Sequence, residues 1–293
     1  MTGVVVVGMH RSGTSAVTRV INLLGVPLGR EDDLYSAEDN PEGHWESRSL
    51  CDLNDTLLRL FGGWDMAPPH VPARWRESRR VEETRAAMRA TFADVYGNGD
   101  TWLWKDPRLC LTLPLWREVL PDFCAVFVLR DAEPAAQSLH RREAGSYPLT
   151  YCRALWDRYN RSAAAALEGL PVVVADYNAL CRDPPAEVGD LAFGLKELGV
   201  DLDGDVAAAG TAVKPRGPAA VDDPGLRATA GFGTDLSAAL RRLPRVSRSF
   251  VPPPLLDPPR WVGAALAAGR SRLRAREWYV DHTGAIPWRP PTS

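Results

Sequence analysis

Residues 4–15, VVVVGMHRSGTS, contain the pattern that decides the fold. Four consecutive valines predict a strand that is buried on both faces, as in a parallel sheet. The run ends at Gly8, passes through a short polar loop to Gly13 and enters a helical pattern. A strand, a glycine-bounded loop and a helix together direct backbone N–H groups at a phosphate. This stretch therefore predicts an anion site, with an ordinary strand-to-helix turn as the alternative.

The charge chemistry of the loop narrows the kind of anion. The spacing from Gly8 to Gly13 is that of a P-loop, but Thr14 and Ser15 follow Gly13 directly. A nucleotide triphosphatase would have Lys before its Ser or Thr, to reach the β- and γ-phosphates. The only cation of this loop is Arg11, so we predict a nucleotide without a γ-phosphate.

The loop resembles the 5′-phosphosulfate-binding loop of sulfotransferases that use 3′-phosphoadenosine 5′-phosphosulfate (PAPS). In that family Lys or Arg directly precedes Ser-Gly-Thr, as Arg11 does. The resemblance implies an α/β fold, with a parallel β-sheet flanked by helices, related to P-loop nucleotide kinases. It also implies that PAPS is the donor, that 3′,5′-adenosine bisphosphate (PAP) is the product, and that no metal is required. The donor-binding residues of this loop would be His10, Arg11, Ser12, Gly13, Thr14 and Ser15.

Composition excludes several other classes of protein. The chain of 293 residues is 45% hydrophobic and 25% charged, as is usual for a globular protein. Its formal charge of -2 argues against a surface that coats nucleic acid. Its five cysteines show no metal-ligand spacing, and we expect them to be reduced. We find no targeting pattern and no long apolar run, so we expect a cytoplasmic protein without a transmembrane segment.

A second anion site is predicted at the end of a later strand. The buried strand pattern at 124–129 ends in Arg130, and Ser138 follows eight residues later, within the next predicted helix. A guanidinium fork and a hydroxyl can share one phosphate. This pair resembles the 3′-phosphate motif of the family, although Ala132 and Glu133 stand before the proline that usually follows Asp131 directly.

The strand pattern at 101–104 leads directly into Lys105, Asp106 and Arg108. Ligands of open α/β sheets bind at the carboxyl ends of the strands, and lysine is rare in this chain. The family commonly places a lysine here, near the bridging oxygen of the phosphosulfate. Its cytosolic members continue with a catalytic histidine, which Asp106 and Pro107 replace. We predict Lys105 to be catalytic and Asp106 and Arg108 to contact substrate, with an Asp106 ion pair as the simpler alternative.

The missing histidine directs the search for a general base to the turn at residues 40–46. Related bacterial sulfotransferases carry a similar segment ending in Glu, and in tyrosylprotein members a glutamate at a comparable place is the base. We predict Glu46 to be the base, His44 to be the second candidate, and Trp45 to contact substrate. The alternative is that Glu46 caps the following helix.

Residues 61–80 read as a loop, and long loops in compact domains often bind ligands. Trp64, Met66 and Trp75 form either an apolar wall for the acceptor, with Trp64 in contact with substrate, or side chains folded back on the body. Tyr177 resembles a tyrosine that lies near the adenine in the family, and a purely structural role is the alternative. Lys214 and Arg216 resemble its basic loop near the 3′-phosphate.

These patterns predict a PAPS-binding core at residues 1–217 and a helical, proline-rich extension at 218–293 that packs on it. The predicted reaction is in-line transfer of a sulfuryl group to a hydroxyl of a small-molecule or glycosylated acceptor. Glu46 or His44 would take the proton, while Lys105 and Arg11 offset charge on the leaving oxygen. A small-molecule kinase using ATP and Mg²⁺, and a non-catalytic nucleotide-binding module, are the alternatives. Homo-oligomer formation is left open.

Overall fold

The protein has an α/β fold built on a mostly parallel five-stranded sheet. The computed structural model describes residues 3–35, 43–71, 75, 78–97, 101–143, 145–213, 234–254 and 257–283. The strand order is β2-β1-β3-β4-β5, and only β5 is antiparallel to its neighbour. The strands are β1 (Gly3–Val7), β2 (Leu103–Lys105), β3 (Phe123–Leu129), β4 (Val172–Asp176) and β5 (Val246–Ser247).

Helices cover both faces of this sheet. They are α1 (Thr14–Leu23), α2 (Arg48–Leu60), α3 (Arg79–Tyr96), α4 (Leu109–Trp116), α5 (Ala132–Arg142), α6 (Leu149–Ala166), α7 (Tyr177–Arg182), α8 (Pro184–Glu197), α9 (Val206–Ala212), α10 (Thr234–Arg241) and α11 (Arg260–Thr283). The valines of β1 alternate between two core clusters, Val5 and Val7 in one and Val4 and Val6 in the other. All four are fully buried, which confirms the expected strand with two covered faces.

The register of the parallel strands brings the predicted site residues to one edge of the sheet. Val6 is paired with Lys105, and Leu129 is paired with Asp176. The loop after β1, the end of β2, Arg130 after β3 and Tyr177 after β4 therefore lie along the same carboxyl edge. This is the edge at which parallel α/β sheets bind ligands.

The C-terminal helix α11 packs along α6. A Cβ on Gly269 would lie only 2.0 Å from the ring of Tyr151, so close packing here requires glycine. Among the described residues, no helix is long and apolar enough to cross a membrane. The predicted boundary at residue 217 falls outside the described residues, and the division into core and extension stays a prediction.

Candidate active site

The loop after β1 has a backbone that is held in an unusual conformation. Arg11 and Gly13 both have positive φ values, 66° and 89°, and the Ser12 N–H donates to the Met9 carbonyl at 3.1 Å. Helix α1 begins at Thr14 without a side-chain cap, so its first N–H groups stay available to an acceptor. The loop is therefore shaped to present backbone donors to an anion.

Gly13 is required by the approach of an aromatic ring as well as by its φ value. A Cβ at this position would lie 1.9 Å from the ring of Tyr177, which is closer than any side chain can pack. The guanidinium of Arg130 lies 5.0 Å from the centroid of the same ring, within cation–π range. Tyr177 thus connects the loop after β1 with the end of β3.

The two predicted anion sites adjoin each other. Arg130 Nη1 donates a hydrogen bond to the Arg11 carbonyl at 2.6 Å. The Arg11 Nε donates to the hydroxyl of Ser138 at 3.1 Å, across 127 residues of sequence. The cations of both motifs therefore face one region of the carboxyl edge.

A cavity of about 360 Å³ begins at Arg130 and extends between the ends of β3 and β4 and helix α10. Three further arginines, Arg182, Arg241 and Arg245, line it, and Arg241 forms an ion pair with Asp131. Sequence reasoning did not single out these arginines. The only signal for Arg182 and Arg241 was their place in the last turns of α7 and α10, where basic residues are common. Arg245, which follows α10, carried no such signal.

Lys105 connects β2 with the segment that carries the predicted base. Its ammonium forms an ion pair with the carboxylate of Glu46 and donates to the His44 carbonyl at 3.0 Å. The Lys105 side chain is 3% exposed and that of Glu46 is 13% exposed. Ser15, in the first turn of α1, donates to the same carbonyl at 3.4 Å. Residues 44–46 therefore lie against the loop after β1.

Glu46 does not cap the next helix. The N-cap of α2 is Ser47, whose hydroxyl accepts a hydrogen bond from the Leu50 N–H. The neighbouring Trp45 has a φ of 59° and is covered by the guanidinium of Arg19 at 4.8 Å. The capping alternative for Glu46 is wrong, and its carboxylate contacts Lys105 instead.

Arg108 is shared by three carboxylates. Its guanidinium contacts Asp55 at 2.6 Å, Asp106 at 3.2 Å and Asp65 at 3.9 Å. Burial acts to raise the pKa of Asp106, but Arg108 and a hydrogen bond from Asn54 outweigh it and the pKa is lowered. Asp106 is fully buried and forms an ion pair with Arg108. This is the simpler alternative to a direct contact between Asp106 and the substrate.

Residues 64–69 form a loop that is clamped to the body. Side chains of α6 and α11 donate hydrogen bonds to four of its carbonyl oxygens. The pairs are Tyr159 with Asp65 at 2.7 Å, Tyr151 with Met66 at 2.6 Å, Arg270 with Pro68 at 3.2 Å and Arg158 with Pro69 at 3.2 Å. Trp64, Met66 and Trp75 all pack on the core, so these side chains are folded back on the body.

The clamped loop places Asp65 beside the first polar residue of the loop after β1. His10 Nε2 lies 3.5 Å from Asp65 Oδ2, and the His10 ring packs edge-on against Tyr159. Burial lowers the pKa of His10 from 6.5 to about 4, while Asp65 acts in the opposite direction. His10 is therefore a neutral imidazole at neutral pH.

The burial of His10 predicts a loss of stability in mild acid. Between about pH 6.5 and pH 4 the unfolded chain binds a proton at this position and the folded chain does not, so folding weakens as the pH falls. From these pKa values we expect the free energy of unfolding to decrease by about 2 kcal/mol between pH 7.5 and pH 5. Urea titrations of His10→Asn should show less of this decrease, whereas a variant of the exposed His70, His70→Asn, should keep it. An unchanged pH dependence in His10→Asn would contradict the assignment.

Two predicted site residues, Lys214 and Arg216, lie outside the described residues. Among the residues that are described, no three His, Cys, Asp or Glu side chains are grouped so that they could hold a metal ion. The five cysteines are free thiols.

Fold and site together define an α/β protein whose first strand, loop and helix present backbone donors at the carboxyl edge of its sheet. A model of the Sulfotransferase family matches residues 3–201, which is more than half of the 293 residues. The chain therefore belongs to the Sulfotransferase family. This confirms the family and the fold class expected from the sequence.

Among solved structures, the chain is similar to the sulfotransferase domain from the Synechococcus PCC 7002 olefin synthase. The two are 14% identical, with a TM-score of 0.39, and the match covers 92% of this chain and 94% of that one. No curated protein sequence matches the chain.

Proposed function

We propose that this protein transfers the sulfuryl group of PAPS to a hydroxyl group of a small-molecule or glycosylated acceptor. The observation that carries the proposal is the junction of the two anion motifs, in which Arg130 donates to the Arg11 carbonyl and Arg11 donates to Ser138. Such a pair of adjoining cationic sites suits a nucleotide with phosphate groups at both its 5′ and 3′ positions. Membership of the Sulfotransferase family supports the transferase class.

The residues of the loop after β1 fit the 5′ end of such a donor. The Ser12 hydroxyl is buried with no hydrogen-bond partner among the described residues, an arrangement that a folded chain normally avoids. Beside it are the cation of Arg11 and the uncapped N–H groups at Thr14 and Ser15. In the proposed complex these groups, with His10 beside them, hold the 5′-phosphosulfate.

The other end of the donor would be held at β3 and β4. Arg130 and Ser138 bind the 3′-phosphate in the proposal, and Tyr177 borders the adenosine. Lys214 and Arg216 stay predicted contributors to the same phosphate site. When bound, PAPS would supply an activated sulfuryl group, so no metal is part of the proposal.

The remaining residues would move the proton and offset the developing charge. Glu46 takes the proton of the acceptor hydroxyl, with His44 as the second candidate. Lys105 lies against Glu46 and, together with Arg11, stabilises negative charge on the leaving oxygen. Trp45 and Arg108 are the proposed acceptor contacts, and the predicted contact of Asp106 would act through Arg108. Trp64 is not among them, because its side chain packs on the core.

The acceptor class is proposed from the aromatic residues around the site. An indole face suits a sugar ring or an apolar surface, so a saccharide, a glycolipid or a glycosylated natural product is the proposed acceptor. We further propose that the protein acts in the bacterial cytoplasm, without nucleic acid.

Isothermal calorimetry with PAP tests the proposed donor. We expect PAP to bind without Mg²⁺ and to bind far more tightly than ATP with Mg²⁺, because the loop lacks the lysine that reaches the γ-phosphate. Adenosine 5′-phosphate, which lacks the 3′-phosphate, should bind more weakly than PAP. Preference for ATP with Mg²⁺ would favour a kinase. A tight PAP site without sulfuryl transfer to any hydroxyl acceptor would favour a non-catalytic module.

A further inference from the structure

A second cavity lies away from the carboxyl edge, between α4, α6 and the clamped loop. Its volume is about 800 Å³, within the range of small-molecule sites. Much of its lining is apolar, including Val71, Trp75, Leu111 and Leu115. None of the steps of the proposed sulfuryl transfer uses this space.

Two arginines, Arg117 and Arg158, line this cavity, and neither forms an ion pair with a carboxylate among the described residues. Arg117 is exposed and donates to the carbonyls of Ala166 and Glu168, both at 3.0 Å. Arg158 lines the cavity, and its guanidinium makes a single hydrogen bond, to the Pro69 carbonyl at 3.2 Å. A guanidinium has five N–H donors, so most of its donor capacity is unused among the described residues. No acidic side chain of these residues lies within ion-pair distance of it.

The surroundings of Arg158 make its positive charge less favourable. Burial and the nearby cation of Arg270 both lower the pKa of Arg158, while Tyr159 opposes them. In the described part of the chain, the hydrogen bond of Arg270 goes to the Pro68 carbonyl, so two cations are held close together by neutral partners. A partly buried cation without a counter-charge is unfavourable, and an anion at this position would relieve that cost.

The carboxylates at the rim do not supply this charge. Glu118 lines the cavity, but its carboxylate forms an ion pair with Arg85 at 2.7 Å. Glu168 also lines it and is exposed to solvent. Neither glutamate contributes to the pKa shift of Arg158.

From this arrangement we infer that the cavity between α4 and α6 is a binding site for a small anionic amphiphile. The apolar body of the ligand lies against Trp75 and Leu111, and its carboxylate, phosphate or sulfate group accepts hydrogen bonds from the Arg158 guanidinium. The site does not depend on the proposed sulfotransferase activity, because none of its residues belongs to the donor site.

A matched pair of fluorescent probes tests the inference. Anilinonaphthalene sulfonate is an anionic amphiphile, and N-phenylnaphthylamine is a neutral molecule of similar shape. We titrate both probes into the full chain in the presence of excess PAP, which occupies the proposed donor site. The same titrations are carried out with Arg158→Met and with the control Arg89→Met, which removes an exposed cation. Circular dichroism confirms that each variant is folded, and Arg158→Lys provides a second variant that keeps the charge.

We expect the wild type to bind the anionic probe more tightly than the neutral one. Arg158→Met should bind the anionic probe about tenfold or more weakly, because it loses at least one charge-assisted hydrogen bond. The affinity for the neutral probe should not change. Arg89→Met should bind like the wild type, and Arg158→Lys should keep part of the preference. Equal affinity for both probes, no binding of the anionic probe, or retention of its affinity in Arg158→Met would overturn the inference. Calorimetry with PAP alone reports separately on the donor site.

Discussion

Arg130→Ala is expected to weaken the binding of PAP by about 10²-fold or more while leaving acceptor binding nearly unchanged. The guanidinium can make two charge-assisted hydrogen bonds to one phosphate, and the loss of each costs about 1.5–3 kcal/mol. Arg130 also donates to the Arg11 carbonyl, so its removal should loosen the loop after β1 as well. Calorimetric titration of PAP measures the loss of PAP affinity.

A matched comparison separates loss of the phosphate contact from loss of structure. Adenosine 5′-phosphate lacks the 3′-phosphate, and its affinity should therefore fall much less than that of PAP in Arg130→Ala. Arg79→Ala, which removes a side chain that is 92% exposed, should bind both nucleotides like the wild type. An equal loss for PAP, adenosine 5′-phosphate and acceptor would refute the 3′-phosphate assignment.

The features that could be predicted from the sequence are local ones. The buried strand β1, the turn at Gly13 and the start of α1 follow from neighbouring residues, because side-chain periodicity and glycine conformation act over a few positions. Arg130 could be placed at the carboxyl edge for the same reason, since a strand pattern ends just before it. The family resemblance added the pairing with Ser138.

The features that could not be predicted depend on contacts between distant residues. Tyr151 meets the Met66 carbonyl across 85 residues, and Arg270 meets the Pro68 carbonyl across 202 residues. No periodicity in either segment specifies such a partner. The proximity of Asp65 to His10 follows from this clamp, in which four carbonyls of a segment that the sequence identified only as a loop are hydrogen-bonded to α6 and α11. Strand β5 has only two residues, too few for any alternation to be visible.

The contact of Lys105 with Glu46 shows how the structure sharpens a sequence-based alternative. Glu46 lies two residues before α2, so its position allowed a helix-capping role as the alternative to the predicted role as base. Ser47 caps α2, which leaves the Glu46 carboxylate to contact the ammonium of Lys105, 59 residues away. A carboxylate and an ammonium in contact at the carboxyl edge are suitable as a proton acceptor and a stabiliser of the leaving oxygen.

Glu46→Gln is therefore expected to lower the turnover number by about 10²–10⁴-fold, the usual contribution of general base catalysis. Glutamine keeps the shape of the side chain and can still contact Lys105, but it cannot take a proton. PAP affinity should remain close to that of the wild type, because the donor contacts lie on other residues. Single-turnover release of PAP at a saturating acceptor concentration measures the chemical step.

Two further variants test which residue accepts the proton. His44→Ala removes the second candidate base but keeps the backbone carbonyl that accepts from Lys105, so it should keep most of the turnover if Glu46 is the base. Glu83→Gln, on an exposed part of α3, controls for the loss of one negative charge. Wild-type turnover in Glu46→Gln together with a large loss in His44→Ala would transfer the role to His44. A loss in Glu46→Gln that disappears at high pH would instead indicate that the acceptor ionises without a base, because a hydroxyl that is already deprotonated needs no residue to accept its proton.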